Sequence, residues 1–263
     1  MSSPSSARPA RRSRHGGRHE LGQNFLVHDE TIGSIVSLVT ATRGSILEIG
    51  AGSGALTTHL ARLGRPLRAI DLDEHHVADL RRRLPSVDVA CRDVLREPLD
   101  RDVLVGNLPF HLTTPVLRRM LAATTWRDAI VVTQWEVARK RAGVGGSTMM
   151  TAQAAPWYRF ALHGRVPSHG FRPRPSVDGG LLAIHRRASP LVPLDQRRGY
   201  ESFVRAVFTG RGRGLAQILH RQDGVASRSV VPVLDRHGID RTALPRDLSA
   251  DDWAALWNEL VRA

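Results

Sequence analysis

The chain has 263 residues, 41% hydrophobic and 24% charged, as expected of an ordinary globular protein large enough to bury a full core. No apolar run approaches the roughly 18 residues of a membrane span, and "MSSPSSARPARRSRHGGRHE" at the N-terminus lacks the apolar stretch of a secretory signal. The net charge of +13 favours a polyanionic partner, because each neutralised phosphate releases counterions, while the single cysteine, Cys91, excludes an internal disulfide, fits a reducing cytoplasm and is expected as a small buried hydrophobe.

Residues 1–19 carry Arg8, Arg11, Arg12, Arg14 and Arg18 and no acid, in a Ser/Pro/Gly-rich context that reads as a basic disordered tail. Lys140 is the one lysine. We attribute arginine over lysine to a GC-rich coding bias, and take the net charge as the sign of a nucleic-acid partner. "ETIGSIVSLVTAT" (30–42) places Ile32, Ile35, Val36 and Val39 at helical spacing. Short apolar runs then alternate with helical patterns: "ILEIG" (46–50), "PLRAIDLD" (66–73), "VDVACRD" (87–93), "DVLVGN" (102–107) and "AIVVTQ" (129–134), separated by "GALTTHLARLG", "EHHVADLRRRL" and "TTPVLRRMLAA", with "WEVARKRA" after the last. That alternation predicts an α/β domain with a largely parallel sheet covered on both faces. "YRFALHGRV" (158–166) and "GGLLAIHRR" (179–187) have no helix between them and are expected to pair antiparallel at one sheet edge. After a Pro-containing break at 188–196 the patterns turn helical, ending in "SADDWAALWNELVR" with Ser249 as N-cap and Asp252 three residues on. The expected organisation is a tail (1–19), a catalytic α/β domain (20–189) and a small all-helical domain (190–263).

In "ILEIGAGSGALTTHL", Gly50, Gly52 and Gly54 stand where a strand turns into a helix, so the backbone can bend tightly and approach a ligand. The same residues satisfy the dinucleotide pattern, which leaves a nicotinamide enzyme open at this point. Asp71 ends the second run and can accept from both hydroxyls of an adenosine ribose. Asp93 ends the third and can accept from an adenine amine in the same crevice. Glu48 lies inside a buried run and needs partners, either the loop amides or the charged end of a cofactor. "TGRGRG" (209–214) is read either as a phosphate contact through Arg211 and Arg213 or as a helix connection.

The fourth run ends in Asn107-Leu108-Pro109-Phe110. An amide and a proline suit a turn, but the aromatic ring is not required by one. Chemistry on a base amine accounts for all four. The adenine N6 lone pair is delocalised into the ring. The Asn107 side-chain oxygen and the Leu108 carbonyl can each accept one N6 hydrogen, drawing electron density onto nitrogen. Pro109 stiffens the loop, and Phe110 offers a face for a base removed from its stack.

On these motifs the chain resembles the rRNA adenine-N6 methyltransferases: the Erm macrolide-resistance enzymes and the small-subunit dimethyladenosine transferases of the KsgA type. The resemblance runs from "LGQNFL" (21–26) through "EIGAGSG", "AIDLD", "CRDV" and "GNLPFHLTTP" to "FRPRPSVDGGLL" (171–182). It implies a Rossmann-like, S-adenosyl-L-methionine (SAM)-dependent methyltransferase domain with a mostly parallel seven-stranded sheet, followed by a helical RNA-binding domain. It further implies that Gln23, Asn24 and Leu26 contact the cofactor near its methionine end, that Gly50 and its neighbours pass that moiety, and that Asp71 takes the ribose and Asp93 the adenine. Asn107 would hold the target N6, with Phe110 stacking on the base and Phe171 closing its other side. No metal ligands are assigned.

"NLPFHLTTP", "QWEVARKRAGVGGSTMMTAQ" and the Arg-rich tail look more like Erm enzymes of high-GC actinobacteria than like the KsgA type. The resemblance thus implies a cytoplasmic, monomeric enzyme acting on 23S rRNA near the peptidyl-transferase centre and conferring macrolide–lincosamide–streptogramin resistance. The alternatives are a small-subunit rRNA dimethyltransferase, a ribosome-assembly factor, a DNA adenine methyltransferase, or a nicotinamide oxidoreductase. The last leaves "NLPF" and the basic charge unexplained.

Overall fold

A computed structural model describes residues 23–261, so the basic tail lies outside the described residues. The elements follow in chain order: β1 (Phe25–Leu26), α1 (Asp29–Thr40), β2 (Ile46–Ile49), α2 (Thr57–Leu60), β3 (Leu67–Asp71), α3 (Glu74–Arg83), β4 (Asp88–Cys91), β5 (Val103–Asn107), α4 (Thr113–Ala122) and β6 (Asp128–Gln134). They continue with α5 (Trp135–Arg141), α6 (Met149–Ala154), β7 (Tyr158–Val166), β8 (Phe171–Arg172), β9 (Gly179–Arg186), α7 (Arg197–Thr209), α8 (Leu215–His220), α9 (Val230–Arg236) and α10 (Ala250–Leu260).

Seven strands form one sheet in the order β4-β3-β2-β5-β6-β9-β7. The first five are parallel, and β9 joins antiparallel to both β6 and β7, as the missing intervening helix had implied. Because both faces are covered, the central strands are apolar at nearly every position, and their alternation splits the core in two. Leu47, Ile49, Leu104 and Val131 face one cluster, while Ile46, Val103, Val105 and Val132 face the other, under α1 and α3. Glu48 interrupts the second set in mid-strand. A two-stranded ribbon, β1 with β8, stands apart from the sheet and was not foreseen, since two residues carry no periodicity.

The sequence departs from the structure in three further places. The helix expected straight after the glycines starts only at Thr57 and makes about one turn. Cys91 is half-buried at the end of β4 rather than enclosed, with Sγ 3.5 Å from the Leu72 carbonyl. The helical region from 190 onward does not have a core of its own. Its Tyr200, Phe203 and Trp257 belong to the cluster that holds Trp157 and Leu182 of the α/β region. Polar ties cross the same seam: Tyr200 Oη donates to the Ala152 carbonyl at 2.9 Å, Trp157 Nε1 to Val192 at 2.8 Å, and an Arg197 amine to Leu121 at 2.7 Å. "TGRGRG" connects α7 to α8 with both arginines exposed. Among the described residues no helix is long and apolar enough to cross a membrane.

Candidate active site

The parallel strands all deliver their C-termini to one edge, where the turns after β2, β3, β4 and β5 surround a single cleft. Gln23, Asn24, Gly50, Gly52, Asp71, Asp93, Asn107, Leu108, Pro109 and Phe110 line it together.

The glycine loop is held from beneath by Ile70, whose carbonyl accepts from the Gly50 and Ala51 amides at 2.9 and 3.0 Å. Gly52 has φ 52°, and a Cβ there would sit 2.9 Å from the Phe25 ring, so only glycine fits under that ring. Asp71 is buried, and both of its oxygens already accept from backbone. Oδ2 takes the Gly52 amide at 2.7 Å and Oδ1 the Asp73 amide at 2.8 Å. The acid therefore anchors the loop as well as facing the cleft. Asp93 is more open and caps its own turn by accepting from the Leu95 amide at 2.9 Å.

Asn107 is the least satisfied group in the cleft. Its Nδ2 donates to the Asn24 carbonyl at 2.6 Å, and its Oδ1 is buried with no hydrogen-bond partner among the described residues. An orphaned buried acceptor costs free energy and marks a place where a donor belongs. Leu108 is tied by its own amide to the Val132 carbonyl at 2.9 Å, and the Pro109 carbonyl is taken by the Leu112 amide at 2.9 Å. Among the described residues no loop or turn hydrogen bond takes the Leu108 carbonyl. Phe110 opens a short 3-10 turn and is partly exposed to the cleft.

Four expected site residues lie elsewhere. Leu26 is buried because the two-residue strand alternates: Phe25 turns to the cleft and Leu26 to the core. Gly54 lies outside the cleft, where a Cβ would be 2.4 Å from the Leu80 side chain, so it is a packing glycine against α3. Phe171 is 0% exposed, carried into the core by pairing of β8 with β1, and meets Phe110 edge to face at 5.8 Å. Two rings in that arrangement leave no gap for a base between them, so Phe171 braces Phe110 and does not form an opposing wall. Glu48 is sealed beneath the loop, with Oε2 unpartnered among the described residues. Burial pushes its carboxyl from the ordinary 4.5 to about 8, Thr57 draws it back in part, and the Asp71 charge pushes it further up.

Sequence reasoning missed Phe25, Leu72 and Val94, all of which line the cleft. The signal was present: Leu72 and Val94 directly follow Asp71 and Asp93, although Asp93 lies two residues beyond the end of β4. These residues fit an adenosyl cofactor. The glycine loop would allow close backbone approach, Asp71 and Asp93 could accept from a ribose and a base, and Leu72 and Val94 could flank a flat ring, in a cleft that also holds Asn107.

Comparison with known proteins agrees with this chemistry. The family described as ribosomal RNA adenine dimethylase matches residues 14–261. An rRNA adenine N-6-methyltransferase of Corynebacterium diphtheriae is 52% identical over 210 residues, 78% of this chain and 83% of that one. The mycinamicin-resistance protein MyrB of Micromonospora griseorubida is 48% identical over 249 residues, 92% of this chain and 78% of its own. Among solved structures, the 23S rRNA methyltransferase ErmE superposes with a TM-score of 0.81 at 31% identity, covering 90% of this chain and 99% of that one.

Proposed function

Because the chain belongs to the ribosomal RNA adenine dimethylase family, as an SAM-dependent rRNA adenine N6-methyltransferase, we propose that its target is one adenosine of 23S rRNA near the peptidyl-transferase centre. Methylation there confers resistance to macrolide, lincosamide and streptogramin antibiotics. The similarity to a mycinamicin-resistance protein across 92% of the chain supports that choice over a small-subunit target. The enzyme works as a cytoplasmic monomer, with the α/β region (20–189) carrying catalysis and the helical region (190–263) binding RNA.

The observation that carries the mechanism is the Asn107 amide. Nδ2 is taken by the Asn24 carbonyl, which leaves Oδ1 as the unpartnered acceptor of a residue that lines the cleft. That oxygen accepts one hydrogen of the target amine, and the Leu108 carbonyl accepts the second. Together they favour the pyramidal nitrogen whose lone pair can form a new bond. Pro109 has no amide hydrogen and keeps the loop stiff. Phe110 stacks on one face of the unstacked adenine, braced by Phe171 from behind.

Gln23, Asn24, Gly50, Gly52, Asp71 and Asp93 hold the cofactor, which supplies an activated methyl group on a sulfonium. No strong base is then needed. The surplus proton of the methylated amine passes to water or a carbonyl, and catalysis is positioning with electrostatics. Incubating the enzyme with methyl-labelled cofactor and separate large- and small-subunit rRNAs, naked and assembled, tests the target. Label should map to a single adenosine of 23S rRNA. Label confined to 16S rRNA would point to the KsgA type.

A further inference from the structure

Residues 167–178 leave the sheet at the end of β7 and return into β9, and one side chain closes the base of that loop. Val166 and Gly179 are register partners, so Asp178 sits at the root of the loop, one residue before β9 begins. Its Oδ1 accepts from the Ser168 amide at 2.7 Å and its Oδ2 from Arg165 Nε at 2.7 Å. Its backbone carbonyl accepts from the Trp135 amide at 2.9 Å, which ties the same residue to the start of α5. Arg165 also lies over the Trp135 ring, 5.4 Å from its centroid. The Ser168 amide and the Arg165 charge hold the Asp178 carboxyl below the usual carboxylate range, so it is ionised at neutral pH. Ser168 is buried, and loss of the carboxylate would leave its amide hydrogen without an acceptor where water is scarce.

What the loop carries reaches the cleft by two routes. At its tip β8 pairs with β1, setting Arg172 against Phe25 and Phe171 against Leu26, and the Gly170 carbonyl accepts from the Val27 amide at 2.8 Å. The fit is close, since a Cβ on Gly170 would lie 2.8 Å from the His28 side chain. Directly before β1 stands Asn24, whose carbonyl takes Asn107 Nδ2 at 2.6 Å. Along the second route Phe171 meets Phe110 with ring centroids 5.8 Å apart. The Phe171 ring is seated on Gly179, where a Cβ would be 2.9 Å from its Cζ, and Asp178 immediately precedes that seat. Asn107 and Phe110 are thus both held by groups that the loop places, with a packed or hydrogen-bonded contact at every step. Asp178 itself does not line the cleft.

We propose that Asp178 is a positioning residue for methyl transfer: by closing the 167–178 loop it fixes the Asn24 carbonyl that orients Asn107 and the Phe171 ring that braces Phe110. This role rests on those proposed above for Asn107 and Phe110, and it adds a residue that touches neither substrate nor cofactor. Three variants separate positioning from folding. Asp178→Ala removes both acceptors. Asp178→Asn keeps one oxygen for the Ser168 amide and gives up only the ion pair, and Arg165→Ala removes the exposed partner of that pair. The chain has three asparagines, Asn24, Asn107 and Asn258, so labelling the asparagine side-chain nitrogen gives three amide signals. The signal missing in Asn107→Ala identifies Asn107, and Asn258, on α10, reports on the fold far from the loop.

At saturating cofactor and rRNA, Asp178→Ala should lower kcat by about 10²-fold. Its Asn107 signal should move while that of Asn258 stays in place. Asp178→Asn and Arg165→Ala should keep kcat within about threefold of the parent, because an exposed ion pair contributes little. An unmoved Asn107 signal in Asp178→Ala overturns the positioning role and leaves the methyltransferase reading standing, as does an equal loss of kcat in Asp178→Ala and Asp178→Asn. Displacement of all three signals in Asp178→Ala, Asn258 included, makes Asp178 a residue of the fold alone and overturns the role too. Parental transfer by Asn107→Ala instead overturns the reading on which the role rests.

Discussion

A primary amide carries a donor and an acceptor, and which of them faces the substrate decides what it can do. At Asn107 the Asn24 carbonyl takes the donor end and leaves the acceptor end unpartnered, the arrangement that the proposed hold on an amine requires. Asn107→Asp is nearly isosteric but sets a carboxylate against that carbonyl. It should bind cofactor and methylate poorly, as single-turnover assays at saturating cofactor would reveal. Glu48 makes a different prediction. Its carboxyl ionises near 4.5 when unfolded and near 8 when folded, so the folded state holds the proton more tightly. The stability this group contributes is therefore full below about 4.5, declines as pH rises from about 4.5 to about 8, and levels off above that. Glu48→Gln, neutral throughout, should flatten this decline and raise the melting temperature at pH 8, measured without cofactor. A variant with the same slope as the parent would show that another group sets it.

At the scale of elements, close backbone approach decides where substitution is tolerated. A Cβ on Gly106 of β5 would lie 2.3 Å from the Ile49 carbonyl oxygen of β2, and neither strand can yield without breaking register. Gly106→Ala should cost about 1–3 kcal/mol or more in denaturant unfolding and loosen the turn that carries Asn107. On α10, Ser249 accepts from the Asp252 amide at 3.1 Å while Asp252 accepts from the Ser249 amide at 2.9 Å, a reciprocal cap. Ser249→Ala should cost about 1 kcal/mol by the same measurement and leave methyl transfer intact. That cap was legible from the spacing of Ser249 and Asp252, as were the five parallel strands, because strands covered on both faces read as apolar runs, and β7 and β9, from the absence of a helix between them. The cleft acids and Asn107 were legible for the same reason: they stand at the ends of those runs. What the sequence hid depends on partners remote in the chain. Nothing near Phe171 reveals that β8 pairs with residues 25–26 and buries the ring, and nothing in "GAGSG" distinguishes Gly52, under Phe25, from Gly54, against Leu80.

The whole molecule is built around a seam. Trp157, just before β7, packs against Tyr200 of α7, which in turn meets Trp257 of α10, with ring centroids 5.4 Å apart for Trp157–Tyr200 and 5.9 Å for Tyr200–Trp257. The helical region therefore completes a core and is not an appended module. A chain ending at 189 should lose near-ultraviolet dichroism and fail to bind cofactor, although every residue lining the cleft is retained; a cooperative unfolding transition in that fragment would show the two regions to be independent. With a net charge of +13, binding of rRNA should weaken steeply with salt. The proposed mechanism turns on the placement of one adenine amine against one side-chain oxygen. The most direct test compares the parent enzyme with Asn107→Ala, measuring cofactor binding by calorimetry and methyl transfer to 23S rRNA on the same preparations. Cofactor affinity should be retained while transfer falls by about 10²-fold or more; transfer at a near-parental rate in Asn107→Ala would contradict the account.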